Sequence, residues 1–181
     1  MGYIRRIRSL GFYLWHMNHM LTHMLIGMVY AWILREVWQQ ISTQYIILAA
    51  FGSVVIDIDH LLYFFTYGRH EWYAFEVRKL LRQGQLRTLW LFWKYNHKSN
   101  TGLATHNVYF VGFFIFLSLL SFQHDWKTGV VLFGAIVLHL IYDMFDDVMM
   151  LGHLNKSWKS IKHKPYHEPD SVEEVTAAAE Y

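Results

Sequence analysis

The stretch Ile56-Asp57-Ile58-Asp59-His60 places two carboxylates and an imidazole within four residues. It directly follows an almost unbroken apolar run, residues 46–56, and two leucines come after it. An ionised carboxylate is costly to desolvate, so three ionisable groups in such surroundings indicate that a cation binds there. On a helix Asp57 and His60 share a face, whereas Asp59 points about 100° away from His60. We therefore expect Asp57 and His60 to be metal ligands and Asp59 to be a further ligand or an orienting partner.

The composition is typical of a membrane protein of one domain. The 181 residues are 54% apolar, 18% aromatic and only 17% charged, which is low charge and high aromatic content for a soluble protein. The absence of cysteine excludes disulfides and thiolate zinc sites. The formal net charge of +2 is too small to indicate nucleic acid as a partner, and nothing in the sequence gives the oligomeric state.

Four apolar segments each have the ~17–25 residues that a helix needs to cross a bilayer. They are residues 10–34, 44–65, 105–122 and 128–151. We predict an all-α integral membrane bundle of about four transmembrane helices. Residues 1–162 would form a single membrane-embedded domain, and residues 163–181 a polar, flexible tail.

The basic residues are distributed very unevenly over the connections between these segments. Of the 16 Lys and Arg residues, 14 lie in the N-terminal stretch, the connection 66–104 and the tail. Only Arg35 and Lys127 lie on the other side. Because positive charge favours the cytoplasmic side, this split predicts an inner-membrane protein with both termini in the cytoplasm.

The connection 66–104 has its own helical pattern. Residues 71–82 and 85–95 predict two helices broken at Gly84, and they mix aromatic with basic residues. That mixture suits the headgroup layer of an anionic leaflet, so we predict an interfacial helical insertion between the second and third spans. A soluble helical hairpin that packs on the bundle is the alternative.

Further histidines and aspartates lie at the same predicted depth as the first motif. His139 and Asp143 are four apart, so they form a clip on one helix face, although a buried His–Asp hydrogen bond would give the same pattern. His106 begins the third segment, and His23 follows His16 and His19 on one face of the first. Since the outer halves of the segments carry almost no ionisable groups, this sorting favours a shared metal site over separate structural histidines.

The full set is too large for a single catalytic zinc ion, which usually has three protein ligands. We assign six metal ligands and one general base, with His16, His19, Asp146 and Asp147 left open. The predicted ligands are His23, Asp57, His60, His106, His139 and Asp143, and the predicted base is Asp59. Either two ions bind side by side or some carboxylates orient the histidines. Imidazole and carboxylate without sulfur suit zinc, iron, manganese or nickel.

Four blocks in this order resemble the membrane-bound metal-dependent hydrolases, which include the SOS-regulated inner-membrane hydrolases of bacteria. The blocks are Thr22-His23-Met24-Leu25-Ile26-Gly27, Asp57-Ile58-Asp59-His60, Thr105-His106-Asn107, and His139 with Asp143. Ile56 stands where the family usually has proline, Asn107 stands for serine, and His97 lies farther upstream of the third block than its counterpart. The resemblance implies a bound metal and hydrolysis. A more distant similarity is to zinc-dependent phospholipase C.

The predicted function is therefore a metal-dependent hydrolase embedded in the membrane. A divalent transition metal, zinc by this reasoning, would activate water against a lipid-like or phosphate- or ester-containing substrate at the cytoplasmic leaflet. Asp59 would act as the general base. A non-enzymatic metal carrier or sensor is the alternative. A haem protein with paired histidines is disfavoured by the many carboxylates.

Overall fold

A computed structural model describes residues 19–39, 42–96 and 103–159, and within them every regular element is helical. The helices are α1 His19–Trp38, α2 Thr43–Val55, α3 Ile58–Phe65, α4 Trp72–Arg82, α5 Leu86–Asn96, α6 Val108–Gln123, α7 Lys127–Leu151 and a 3₁₀ turn, Lys156–Lys159. The predicted all-α class is confirmed over this part of the chain. The predictions for His16, His97 and the tail 163–181 lie outside the described residues.

Three helical stretches are long and apolar enough to cross a membrane, which is consistent with a membrane location. They are α1, the combined stretch Thr43–Phe65, and α7. The third predicted segment forms α6, whose 16 residues are apolar but fewer than a typical span requires. It is shorter than expected because residues 105–107 are not helical and instead lead into it.

Helices α1, α2 and α7 pack together, and α6 lies along α7. Small residues form the contact, since Ala31, Ala49 and Ala135 are buried around Val131. A side chain at Gly27 would collide with the Ser53 hydroxyl and the Ala49 carbonyl, so glycine permits α1 to approach α2 closely. Close backbone approach of this kind is how helices associate in lipid, where burial of apolar surface gives little driving force.

Large apolar side chains on the outer faces of the bundle remain exposed. Leu25 and Trp32 of α1 are more than half exposed, as are Phe116 and Leu119 of α6. Exposed apolar surface on several neighbouring helices is unusual for a soluble monomer. These faces are therefore suited to contact with lipid.

The connection between the second and third segments contains the two predicted helices, α4 and α5. They are separated at Gly84, which has a φ of +66°. The Gln85 N–H donates to the Leu80 carbonyl across this turn, so the left-handed Gly84, which follows the C-cap Gln83, ends α4. Tyr73 and Val77 of α4 pack on Tyr63 of α3, which fixes the hairpin against the end of the second segment.

The second segment is interrupted at its most polar point, between α2 and α3. The Asp57 N–H donates to the Val54 carbonyl, three residues back, at 3.1 Å. The Asp59 and His60 N–H groups likewise bond three residues back. In a regular α-helix the Asp57 N–H would instead donate to the Ser53 carbonyl. The interruption therefore leaves the Ser53 carbonyl available to another partner.

Candidate metal centre

Three parts of the chain bring ligand atoms together here: the interruption between α2 and α3, the residues just before α6, and α7. Asp57, His106 and His139 each offer one ligand atom, and these three atoms lie within 4.8 Å of one another. The Asp57 Oδ1 is 3.4 Å from His139 Nε2 and 3.7 Å from His106 Nε2. Asp143 adds a fourth ligand atom to this group. Its Oδ2 lies 3.1 Å from His139 Nε2 and 3.4 Å from His106 Nε2.

His139 is held with a defined tautomer. Its Nδ1 lies 2.5 Å from the Ser53 carbonyl, which can only accept, so Nδ1 carries the proton. The lone pair is consequently on Nε2, which faces the two carboxylates. The same interruption that separates α2 from α3 thus provides the acceptor that orients this histidine.

His106 lies just outside α6, where Asn107 is the N-cap. The Asn107 Oδ1 accepts from the backbone N–H groups of Tyr109 and Phe110, and this fixes the start of the helix. The His106 Nδ1 is 3.2 Å from the Thr105 hydroxyl, which lies 2.8 Å from Asp59 Oδ2. Since the hydroxyl donates to the carboxylate, it accepts from Nδ1–H, and Nε2 again faces the site.

Asp59 is 4% exposed, and both of its oxygens are occupied by donors. Oδ1 accepts from the Tyr67 hydroxyl at 2.5 Å, and Oδ2 accepts from the Thr105 backbone N–H at 2.8 Å in addition to the Thr105 hydroxyl. Burial, and then this hydrogen bond, raises the pKa of the Tyr67 hydroxyl, so it donates at neutral pH. These bonds favour the orienting role that the sequence allowed for Asp59. The general-base role stays a prediction.

A second group of ligand atoms lies on the other side of Asp143. His19, His23 and Asp143 also offer atoms within 4.8 Å of one another. The Asp143 Oδ1 is 3.2 Å from His23 Nε2 and 3.5 Å from His19 Nε2, and the two Nε2 atoms are 3.0 Å apart. The sequence left His19 open because three histidines share one face of the first segment, and spacing alone does not show which of them point inward.

Two buried nitrogens test whether these residues fit a cation. His106 Nε2 and His139 Nε2 are buried and make no hydrogen bond within the described ranges, although each has carboxylate oxygens nearby. A buried nitrogen without a partner is costly and unusual. A metal ion between the nitrogens and the carboxylates would satisfy all of them, so these buried His and Asp groups are suited to hold a metal ion.

His60 is the one predicted ligand that belongs to neither group. Its Nε2 lies 3.8 Å from Asp57 Oδ1, at the edge of the site, and its side chain is 26% exposed. Its role as a ligand stays a prediction. Asp147, which the sequence left open, accepts a hydrogen bond from the Trp158 indole at 2.6 Å and so has a structural partner.

Sequence reasoning did not single out Tyr67 or the hydroxyl of Thr105 as orienting groups. Both act through Asp59, and only their proximity in space reveals them. The Thr-His pair at 105 and 106 was the available signal, since a hydroxyl beside a ligand histidine is placed to orient it.

Comparison of the chain with protein-family models, curated proteins and solved structures gives no significant match.

Proposed function

We propose that this protein is a membrane-embedded, metal-dependent hydrolase of the kind its four sequence blocks resemble. The bound ion would be a divalent transition metal; imidazole and carboxylate ligands suit zinc, iron, manganese or nickel, and we propose zinc as the first candidate. The observation that carries the proposal is the pair of buried Nε2 atoms, on His106 and His139, that face two carboxylates without a hydrogen bond. When bound, such an ion acts as a Lewis acid and lowers the pKa of its water to about 7.

The protein's own residues hold and orient this centre. Ser53 and Thr105 bind the Nδ1 atoms of His139 and His106, so the Nε2 atoms are presented to the ion in a fixed tautomer. Asp59 anchors Thr105 through two hydrogen bonds. Partners of this kind raise the basicity of the ligands, and their loss typically costs 10–100-fold in metal affinity or activity.

The exposure of the ligands supports a direction for substrate approach. The His23 and His139 side chains are fully buried, whereas the side chains of Asp57 and His19 are 35% and 37% exposed. His60 is partly exposed on the same side as Asp57. We propose that a lipid-like substrate with a phosphate or ester group approaches the site from the side of Asp57 and His60.

The proposed topology has four spans, with α6 as the third, an interfacial α4–α5 insertion, and both termini in the cytoplasm. The positions of the charges support it, because Lys127 Nζ lies 5.6 Å from the ring centre of Trp38 and both residues are at the end opposite the metal centre. Arg35, in the last turn of α1, is at that end too, and the other Lys and Arg residues belong to the N-terminal stretch, the connection 66–104 and the tail, which this topology assigns to the cytoplasm.

A metal carrier or sensor is the second candidate, since transporters also place ionisable groups on inner helix faces. The apolar cluster around Val131 argues against it, because a path across the bundle would need further ligands there. Its buried members are alanine and valine.

The full-length protein, purified in detergent with zinc present, tests the proposal. We expect bound metal by elemental analysis, and metal-dependent hydrolysis in a panel of phospholipids, phosphodiesters and carboxyl esters. His139→Ala should lose both properties, because it removes a fully buried ligand. His124→Ala is the matched control, since that histidine caps α6 at the far end of the bundle.

Metal loading without hydrolysis of any substrate class in the panel would favour the carrier. A wild-type chain that binds no zinc after reconstitution would refute both candidates. An absorbance scan of the same sample, with no Soret band expected, also excludes haem.

A further inference from the structure

The geometry points to a second metal site, formed by His19, His23 and Asp143, which shares Asp143 with the first. The inference rests on the metal centre of the proposed function and extends it to a pair of ions. One carboxylate would bridge them: Oδ1 faces the two histidines of α1, and Oδ2 faces His106 and His139. Within the described chain, no other carboxylate faces both groups.

The distances in the second group match those expected around a tetrahedral ion. With metal–ligand bonds of ~2.0–2.1 Å, neighbouring ligand atoms are about 3.3–3.4 Å apart. The three separations among His19 Nε2, His23 Nε2 and Asp143 Oδ1 are 3.0, 3.2 and 3.5 Å. Three protein ligands leave one tetrahedral position open, as at catalytic zinc sites.

Hydrogen bonding alone does not account for this group. A neutral imidazole has one N–H, and an ionised carboxylate has none. If His23 Nε2 carries the proton, the lone pairs of His19 Nε2 and Asp143 Oδ1 face each other at 3.5 Å. If His19 Nε2 carries it, the lone pairs of His23 Nε2 and Asp143 Oδ1 face each other at 3.2 Å. If both Nε2 atoms carry protons, both can donate to Asp143 Oδ1, but the two N–H groups then face each other across a nitrogen separation of 3.0 Å. A cation between the three atoms removes the repulsion in each case.

The spacing between the two groups also fits a pair of ions. His23 and His139 belong to different groups, and their rings stack with centroids 3.8 Å apart and planes inclined by 23°. Ions in two-metal sites are typically about 3.5–4 Å apart. Parallel imidazoles at this distance can therefore each face a different ion.

Loading the full-length protein with Mn²⁺ tests the inference by a signal other than activity. We expect two ions per chain at saturation and an electron paramagnetic resonance spectrum of an exchange-coupled pair, because a carboxylate bridges the ions. His19→Ala should bind one ion per chain and give the spectrum of isolated Mn²⁺. The His19 side chain is 37% exposed at the start of α1, so its truncation should leave the fold intact.

His124→Ala is the control and should keep both ions and the coupling. Saturation of the wild type at one ion, uncoupled ions, or an unchanged coupled pair in His19→Ala would each overturn the inference. One ion with retained hydrolysis would reject the second site and leave the proposed function standing. Two coupled ions without hydrolysis would support the second site and count against the proposed hydrolase function.

Discussion

The two ends of the α1–α2–α7 bundle hold their helices together by different means. Toward the Trp38 end, Ala31, Ala49 and Ala135 let the backbones approach, and that contact is complete without a ligand. Toward the other end, His23 and His139 are fully buried beside a carboxylate, and His139 Nε2 makes no hydrogen bond with the described residues. One end is thus held by packing, whereas under the proposed function the other would be stabilised by a cation.

The packed end also determines where the side chains of the polar end lie. Small residues fix the distance between α1 and α2, and Gly27 does so one turn from His23. The interruption at Asp57 then supplies the acceptor for His139. The packed end therefore positions backbones that the polar end uses to orient ligands.

The largest effect should follow the loss of the shared ligand. Among the residues that the structure describes, only the Asp143 carboxylate faces both groups of histidines, so we expect almost no bound zinc in Asp143→Ala where the wild type is loaded. The packed end around Val131 does not include Asp143, so we expect the helices to remain folded, which the far-ultraviolet circular dichroism should show. Undiminished zinc by elemental analysis would place the metal elsewhere.

Metal removal should then distinguish the contributions of the two ends to the stability of the fold. Zinc at 100 times its dissociation constant stabilises the folded state by about 2.7 kcal/mol. Chelation should lower the midpoint of thermal unfolding of the wild type accordingly, and it should not lower that of Asp143→Ala. An equal fall in both midpoints would mean that the stabilising metal does not bind at Asp143, and no fall in either would mean that the polar end is stable without a cation.

An intermediate effect is expected from Asp59→Asn. The amide keeps the size of the carboxylate and its acceptor for Thr105, but it weakens the link to His106. If Asp59 orients His106, zinc affinity should fall about 10–100-fold, and excess zinc should restore turnover. If Asp59 is the general base, occupancy should stay full while the rate falls about 10²–10⁴-fold. We expect the first result, and zinc titration monitored by hydrolysis distinguishes them.

How far the sequence predicts this arrangement depends on how local each signal is. The helices on either side of Gly84 begin and end within one residue of their predicted bounds, since the glycine and the amphipathic pattern are local. The fourth segment is similarly accurate, because an apolar run defines it. The interruption at Asp57 has no such local signal, because neither proline nor glycine stands at residues 54–60. It depends instead on contacts with parts of the chain that are distant in sequence.

The same distinction applies to the candidate site. The close approach of His139 and Asp143 follows from a spacing of four, and their convergence with Asp57 was expected from their common depth. The two oxygens of Asp143 facing different histidine pairs could not be predicted, because that depends on how α1 is rotated against α7. Nor could the pairing of Asp147 with Trp158, which requires the chain to turn back at Gly152.

The smallest effect should come from the packed end. The Tyr30 hydroxyl donates to the Val130 carbonyl at 3.1 Å, between α1 and α7. Tyr30→Phe removes this bond and leaves the ring in place, and hydrogen bonds between membrane helices contribute about 0.6 kcal/mol on average. We expect that loss of unfolding free energy in both the zinc-loaded and the chelated protein, with zinc content unchanged, because the contact lies away from the ligands. Denaturant titration in mixed micelles measures it. A zinc-dependent difference would show instead that α1 couples the packed end to the metal centre.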